Sequence, residues 1–320
     1  MIEEEFIKNY LSKLAKNNKS AKNLNDDIFY DKKNKIAVSI DTYNEGVHFL
    51  NFDNPSLVIK KIIRSSISDL ICKGVKPKYY FISASLKKKT LNNKLSKLLI
   101  KSLMEEQKKF NLKISGGDTV SGKFISFTIV SIGFANKIIE RNNSKLNDDI
   151  YVTGNIGDSY IGLQLLKKKI KISNKISKDY FIKKYYIPDI PFKSINLIQK
   201  LSNSSIDVSD GLLIDLNKLI NQQKLNYLID IDKIPTSIQF KKFNKNNSYK
   251  LEKLLFHGDD YQTLFTAKRS YRRKILQKFK KMNQKISIIG KIIKSNKSNF
   301  LKIDKKIRKI TNYQGYSHYL

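Results

Sequence analysis

The spacing of apolar residues predicts alternating helices and strands along the chain. Apolar side chains recur at helical spacing in residues 3–16, and residues 35–40 form a short apolar run that is typical of a buried strand. Asn54 and Pro55 begin a helix whose apolar stripe continues to Gly74. Further helices are predicted over residues 91–110, from 159 onward and over 212–219, and further strands over residues 78–86, 113–115, 124–132, 150–153, 226–231 and 262–266. Because strands and helices alternate in both halves, we expect two domains of the α/β or α+β class.

Length and composition agree with a globular chain of two domains. The chain has 320 residues, of which 40% are hydrophobic, enough for roughly two domains of ordinary size. A polar segment at residues 136–147 lies between the halves, and we predict domains at residues 1–140 and 141–320. No apolar run approaches the roughly 18–20 residues of a membrane span, and the acidic N-terminus lacks the apolar core of an export signal. Cys72 is the single cysteine, so we expect a buried thiol and a cytoplasmic protein.

The net charge of +34 raises the question of nucleic-acid binding. Only six of the 62 basic residues are arginines, the side chain that reads guanine edges and binds phosphates bidentately. The lysines are spread along the whole chain and accompany abundant asparagine and isoleucine, which indicates a compositional bias. We therefore expect no dedicated nucleic-acid site, although the charge favours capture of small anionic substrates.

Acidic residues follow several of the predicted elements. Asp41 closes the apolar run at residues 36–40, Asp69 lies near the end of the helix that Pro55 begins, and Asp118 follows Gly116 and Gly117 in a predicted turn. Asp207 and Asp210 occur in the stretch IDVSDG, at the end of another predicted strand. Carboxylates at buried positions require cations, so the pattern predicts one site where these acids meet metal-bound phosphate.

Other catalytic motifs are absent from the sequence. Residues 117–124 nearly match a P-loop, but Phe124 replaces the hydroxyl that binds the metal, and a strand is predicted where the motif needs a helix. The sequence has no H-E-x-x-H or C-x-x-C motif, so a zinc site has no support. Ser209 lacks the leading glycine of a hydrolase nucleophile.

Taken together, the motifs resemble the thiamine-monophosphate kinase family of the aminoimidazole-ribonucleotide-synthetase-like superfamily. The stretches NDDIF, SIDTYNEGVHF, SISDLICKGVKP, SGGDTVSG, DDIYVTGNIGDSYIGL, SIDVSDGLLIDL, HGDDYQTLFT and GYSHY occur in the order of that family. The resemblance implies a two-domain fold with an N-terminal sheet domain that dimerises and a C-terminal α/β domain. It also implies that ATP phosphorylates thiamine monophosphate to thiamine diphosphate, with several Mg²⁺ ions, by direct in-line transfer.

The resemblance assigns roles to individual residues. The implied metal ligands are Asp27, Ser39, Asp41, Asp69, Asp118, Asp207 and Asp210. The implied ATP contacts are Gly117, Asp118, Arg141 and Ser209, and the implied contacts to the thiamine phosphate are His48, Asp259 and Tyr316. Asp118, Asp207 and Asp210 are the implied catalytic residues.

The sequence also departs from the family pattern. Ile40 replaces a threonine that helps to hold a metal, Asp259 replaces a glutamate and His257 replaces a glycine. Three alternatives therefore stay open: another ATP-dependent enzyme of the superfamily, a relative that binds without turnover, and a nucleic-acid-binding protein. Within the superfamily, a selenophosphate synthetase needs a reactive cysteine near the N-terminus, and the sequence has none there.

Overall fold

The computed structural model describes residues 1–245, 251–294, 298–311 and 316. Within these residues, the chain forms two β-sheets with helices packed against them. The mixed α/β class predicted from the sequence is confirmed. None of the helices described is both long enough and apolar enough to cross a lipid bilayer.

The first sheet contains the strands of the N-terminal half. Its members are β1 (Phe29–Asp31), β2 (Ile36–Asn44), β3 (Pro77–Leu86), β4 (Lys113–Ser121) and β5 (Ser126–Phe134). Their order across the sheet is β1-β2-β5-β3-β4, with only the β3–β4 pair parallel. This order places β1 and β4 at the two edges of the sheet.

Two long helices cover one face of the first sheet. They are α3 (Pro55–Cys72) and α4 (Asn93–Phe110), and they follow an N-terminal helical segment made of α1 (Glu3–Phe6), a π-helical turn (Ile7–Leu11) and α2 (Ser12–Leu14). Asn54 caps α3 by accepting a hydrogen bond from the Leu57 amide at 3.2 Å, and Pro55 occupies its first turn, as the sequence predicted. Apolar side chains of α3 and α4 pack on Ile129, Phe127 and Tyr80 to form the first core.

The second sheet is built from the C-terminal half. Its strands are β6 (Asp149–Thr153), β7 (Ser204–Asp207), β8 (Leu225–Asp230), β9 (Thr263–Ala267), β10 (Ile286–Lys294), β11 (Phe300–Ile303) and β12 (Lys306–Lys309), in the order β12-β11-β8-β10-β6-β9-β7. The helices of this half are α5 (Asp158–Leu166), α6 (Lys175–Tyr186), α7 (Ile195–Leu201), α8 (Leu212–Leu219), α9 (Ile238–Lys245), α10 (Leu251–Leu254) and α11 (Arg272–Lys281). Apolar side chains form one cluster on each face of the sheet, and α5, α6 and α9 form a further cluster with one another.

Helix α3 joins the two halves, because it contacts β2 and β5 of the first sheet and β7 and β9 of the second. The polar residues of its C-terminal half therefore lie between the sheets. Ser68, for example, is buried and donates a hydrogen bond to Asp207 at the end of β7, over 2.9 Å. The interface between the halves is thus built around polar groups as well as apolar ones.

Two strands are longer than the sequence predicted. Asp41 was expected to close a strand at residues 35–40, but β2 continues to Asn44 and Asp41 lies inside it. Residues 116–119 were expected in a turn, but they lie inside β4, where cross-strand hydrogen bonding overrides the turn propensity of the local sequence.

Candidate active site

A cleft of about 1830 Å³ lies between the two halves. Its walls come from β2, the end of α3, the loop after β7, the loop before β9 and the N-terminal segment. The volume exceeds the roughly 300–1,000 Å³ of a pocket for one small ligand, so the cleft has room for two.

Three carboxylates meet at the floor of this cleft. Asp27 precedes β1, Asp69 lies in the last turn of α3, and Asp207 ends β7. Each offers one oxygen atom, and these three atoms lie within 4.8 Å of one another. Asp69 and Asp207, which are far apart in the sequence, are brought together by the packing of α3 against β7, and Asp27, which only the family resemblance indicated, joins them.

Ser39 and Asp41 extend the acidic cluster along β2. The buried Ser39 hydroxyl lies 2.6 Å from a carboxylate oxygen of Asp69 and 3.3 Å from one of Asp41. Ser39 and Asp41 are two residues apart on one strand, so both side chains face α3. The acidic cluster therefore comprises Asp27, Asp41, Asp69 and Asp207, with Ser39 as a neutral oxygen donor.

Three carboxyl groups of the acidic cluster, those of Asp41, Asp69 and Asp207, have a raised pKa. Burial raises the pKa of Asp41 to about 7, and the charge of Asp207 adds to the effect. Burial also raises the pKa of Asp69 well above its usual value, followed by the charges of Asp41 and Asp207. Burial is again the main cause of the raised pKa of Asp207. These acids resist ionisation together, so the site favours a divalent cation, and its all-oxygen donor set suits Mg²⁺.

Two basic side chains border the acidic cluster. The Lys73 ammonium lies 2.7 Å from an oxygen of Asp26 and 2.6 Å from one of Asp27. Arg141 pairs with the other oxygen of Asp27, and its backbone amide donates to Asp26 over 3.1 Å. The Nε atom of Arg141 is buried and has no hydrogen-bond partner among the described residues. Arg141 also lines the cleft, so its guanidinium charge lies close to any anionic ligand bound there.

The loop after β7 is held in place by Asp215 in the first turn of α8. The backbone amides of Ser209, Asp210 and Gly211 all donate to one oxygen of Asp215, over 3.1, 3.1 and 3.0 Å. Asp215 is buried, and this arrangement fixes the loop that carries Ser209 and Asp210 into the cleft. Asp210 also pairs with Lys218 at 2.7 Å.

His48, Asp259 and Tyr316 also line the cleft, and the Asp259 amide donates to the Ser209 carbonyl over 2.8 Å. The His48 Nδ1 atom accepts a hydrogen bond from the Asn44 amide over 3.0 Å, which fixes its ring. Asp259 accepts hydrogen bonds from the buried Lys61 over 3.0 Å and from the Tyr261 hydroxyl over 2.9 Å. The Tyr316 amide donates to the Asp210 carbonyl over 3.1 Å, which places Tyr316 at the cleft.

Comparisons with known proteins agree with this geometry. Residues 25–135 match the family described as AIR synthase related protein, N-terminal domain. The chain is similar to the thiamine-monophosphate kinase of Buchnera aphidicola subsp. Acyrthosiphon pisum, with 33% identity over 99% of this chain and 98% of the relative. The Haemophilus influenzae thiamine-monophosphate kinase is 30% identical over 89% of this chain and 87% of its own length. The chain belongs to the thiamine-monophosphate kinase family.

A solved structure supports the same family. The structure described as AaThiL complexed with AMPPCP and TMP superposes with a TM-score of 0.84 and 27% identity, and covers 100% of this chain and 99% of that one. Its agreement extends over both sheets. The resemblance to thiamine-monophosphate kinases drawn from the sequence motifs is thereby confirmed.

Two of the residues that the kinase resemblance assigned to the site lie elsewhere within one chain. The register across β2, β5, β3 and β4 aligns Asp41 with Gly117, three strands away and thus about 14 Å at the usual strand spacing. Asp118 aligns with Thr42, so its side chain lies on the opposite face of the sheet from Asp41. The single acidic cluster expected from the sequence therefore does not include Asp118 of the same chain.

Sequence reasoning missed the buried residues that organise the kinase cleft. Lys61, Lys73 and Asp215 are each almost fully buried and pair with residues of the cleft. The lysines gave no signal, because this chain is rich in lysine throughout. Asp215 gave a weak one, since an acid in the first turn of a helix is a common capping position.

His257, which replaces a glycine of the family pattern, stacks on another aromatic side chain of the cleft. Its ring stacks on the Tyr160 ring, with centroids 3.7 Å apart and an angle of 4° between the planes. Burial, followed by the charge of Lys253, lowers the pKa of His257, so the imidazole is neutral near pH 7. Both rings line the cleft and give it a flat aromatic wall.

Proposed function

We propose that this protein is a kinase that uses ATP to phosphorylate thiamine monophosphate, giving thiamine diphosphate and ADP. The observation that carries the proposal is the convergence of Asp27, Asp69 and Asp207 in a cleft of a chain that matches thiamine-monophosphate kinases over nearly its whole length. The acceptor is already an ionised phosphate, so the reaction needs no strong general base. The chain's contribution is to align two anions and to offset their charge.

The acidic cluster fits Mg²⁺. Its donors are carboxylate and hydroxyl oxygens, and the pKa of Asp41 and of Asp69 is raised first by burial and then by the charges of neighbouring carboxylates, both of which a bound cation would offset. We propose that Asp27, Ser39, Asp41, Asp69, Asp207 and Asp210 hold the ions. Bound Mg²⁺ supplies charge neutralisation for the phosphates.

Arg141 and Ser209 are proposed contacts to ATP. The Arg141 Nε atom is a buried donor without a partner among the described residues, at the wall of the cleft. The Asp215 carboxylate holds the Ser209 segment before any ligand arrives. A prearranged donor costs little reorganisation when phosphate charge builds up in the transition state.

The thiamine end is proposed to bind at His48, Asp259 and Tyr316. Thiamine carries a cationic thiazolium ring and a flat pyrimidine ring, which suit a carboxylate and aromatic faces. Asp259 is paired with Lys61, so it presents a hydrogen-bonded and partly neutralised carboxylate. The ring wall of Tyr160 and His257 lies in the same cleft.

The decisive experiment mixes purified protein with ATP, Mg²⁺ and thiamine monophosphate and measures thiamine diphosphate and ADP by chromatography. Asp207→Asn removes a charge from the acidic cluster and is expected to reduce turnover by about 10²-fold or more. Asp232→Asn, at an exposed acid outside the cleft, is the matched control and should keep full activity. Absence of thiamine diphosphate with the wild-type protein would overturn the proposal.

We also propose that the enzyme is a homodimer. The sheet face opposite α3 and α4 exposes apolar side chains, among them Ile40, Val120 and Phe134, which are 67%, 50% and 46% exposed. All nine residues of the edge strand β4 are exposed as well. A second copy is the natural cover for an open apolar face and an unpaired edge. Sedimentation of a 37.1 kDa monomer alone at micromolar concentration would contradict this.

In such a dimer, Gly117 and Asp118 are proposed to serve the ATP and metal site of the other subunit. The test co-expresses Asp118→Asn and Asp207→Asn chains with different tags, each inactive alone. If Asp118 acts across the interface, each mixed dimer has one intact site, and an even mixture regains about a quarter of wild-type activity. If Asp118 acts within its own chain, both sites of the mixed dimer stay inactive.

Two coarser assignments accompany the proposal. The free thiol of Cys72 is buried, and burial raises its pKa well above the usual value, so it is inert and fits a reducing compartment. We therefore propose a cytoplasmic location. We also propose domains at residues 1–140 and 141–320, which separate the strands of the two sheets.

A further inference from the structure

Lys73 stands directly after α3 with a completely buried side chain. Its ammonium group contacts three oxygen atoms: one of Asp26 at 2.7 Å, one of Asp27 at 2.6 Å and the carbonyl of Ser205 at 2.6 Å. A buried lysine is rare unless anions pair with it. Here two carboxylates and a carbonyl surround one ammonium group.

The position of this ammonium group is fixed by the fold. The Ser205 hydroxyl donates to the Cys72 carbonyl over 2.6 Å, which fastens the end of α3 to β7. Lys73 reaches Ser205 across the same junction, and its exposed fraction is 0%. The side chain therefore cannot swing into solvent unless α3 separates from β7.

The positive charge of the ammonium group also acts directly on the carboxylates of the acidic cluster. Asp27 contributes one oxygen to the three-carboxylate group with Asp69 and Asp207, and Lys73 contacts Asp27 directly. Asp69 lies one helical turn before Lys73, and the charge of Lys73 partly offsets the burial that raises the pKa of Asp69. The helix end disfavours an anion at Asp69, and a fixed cation beside it offsets that effect.

We propose that the Lys73 ammonium is a permanent cation of the acidic cluster. It occupies the position beside Asp26 and Asp27 that a further divalent ion would otherwise take. The inference rests on the proposed binding of divalent ions by the acidic cluster. It concerns how many ions this chain needs and how tightly it holds them. Loss of the ammonium charge should therefore create affinity for metal.

The test measures Mn²⁺ binding to the full-length protein without nucleotide, from the electron paramagnetic resonance signal of free Mn²⁺. Lys73→Met should bind Mn²⁺ about tenfold more tightly than wild type, or bind one further equivalent, because a nearby positive charge is removed. Lys73→Arg keeps the charge and should retain the wild-type isotherm. Lys22→Met is the control for net charge, since Lys22 pairs with the half-exposed Glu140.

Thermal unfolding tests the same inference if the Lys73→Met variant is too unstable for the binding measurement. Thermal unfolding of Lys73→Met and Lys73→Gln is followed with EDTA and with millimolar Mn²⁺. Stabilisation by Mn²⁺ that exceeds the wild-type effect supports the inference. Mn²⁺ binding equal to that of wild type, or failure of both variants to fold even with Mn²⁺, overturns it. Metal binding is read independently of thiamine diphosphate formation, so a failed kinase assay would overturn the proposed function alone.

Discussion

Single residues at the cleft carry charge that the fold does not fully balance. Asp41, Asp69 and Asp207 all have a raised pKa, with burial as the main cause. Ser39 bridges Asp41 and Asp69 but supplies no charge. Ionisation of these buried carboxyl groups is unfavourable, so the stability of the folded protein depends on pH.

The pKa of Asp41, raised to about 7, gives a pH dependence of stability with a definite sign. The folded state binds this proton more tightly than the unfolded state, whose carboxyl has a pKa near 3.9. The stabilising effect is complete at low pH and is lost as the pH rises through about 7. In EDTA, the melting temperature of wild type should fall more steeply between pH 5 and about 8 than that of Asp41→Asn.

Added Mg²⁺ is the control for that experiment. Because the ion binds the ionised carboxylates, it should reduce the loss of stability in wild type at the upper end of the pH range. Parallel pH curves for wild type and Asp41→Asn in EDTA would show that Asp41 does not hold its proton in the folded protein.

A second prediction at this scale distinguishes the proposed contacts to thiamine monophosphate from the proposed contacts to ATP. Asp259→Ala and Tyr316→Ala remove proposed contacts to the thiamine ring and should each raise the KM for thiamine monophosphate about tenfold. The KM for ATP should stay nearly unchanged in steady-state assays. Ser209→Ala, at the proposed ATP end, is the comparison and should show the reverse. A rise in the KM for ATP alone in the Asp259 variant would refute this placement.

At the scale of elements, β4 shows why a glycine is required inside a strand. Gly117 has φ of +152°, and a Cβ atom there would lie 1.8 Å from the Ile82 carbonyl oxygen of β3. Gly46 also has positive φ, +81°, but a Cβ atom there would meet nothing within 4 Å. The two glycines therefore differ in packing, although each has a backbone conformation that disfavours other residues.

Gly117→Ala should consequently disturb the β3–β4 pairing, whereas Gly46→Ala should lower stability by only about 1 kcal/mol. Urea unfolding gives the stability difference, and hydrogen exchange of the β4 amides shows where it arises. Equal destabilisation by the two substitutions, with β4 exchange unchanged, would mean that the strand relaxes around the added methyl group.

The sequence predicted those elements whose periodicity is long and regular. The helix α3 and the helix α8 match their predictions closely, because an apolar stripe of several turns leaves little choice. The helix α6 and the strands β10 to β12 were not foreseen, since lysines interrupt their apolar pattern. The acids of the cleft floor followed from motifs, but the cations that pair with them did not: Lys61 and Lys73 differ from surface lysines only in three dimensions.

At the scale of the whole molecule, an acidic floor lies within a strongly basic protein. The net charge is +34, while both proposed substrates carry phosphate groups. Long-range attraction should therefore speed their encounter with the cleft, and salt should weaken it. We expect kcat/KM to fall as KCl rises from about 50 to 300 mM, while kcat at saturating substrate changes little. A kcat/KM independent of salt would show that encounter is not steered by this charge.

Helix α3 carries residues of both the Asp259 pair and the acidic cluster. Lys61, which holds Asp259, and Asp69, in the acidic cluster, both belong to α3, eight residues apart and so about 12 Å along its axis. In the proposed binding mode, a ligand must span this distance to reach Asp259 and the acidic cluster at once. We expect phosphate esters without a ring system at this distance to bind less tightly, because they reach only one of the two groups. Inserting a single residue between positions 61 and 69 would rotate one end of α3 by about 100° relative to the other, so that Lys61 and Asp69 could no longer both keep their contacts in the cleft.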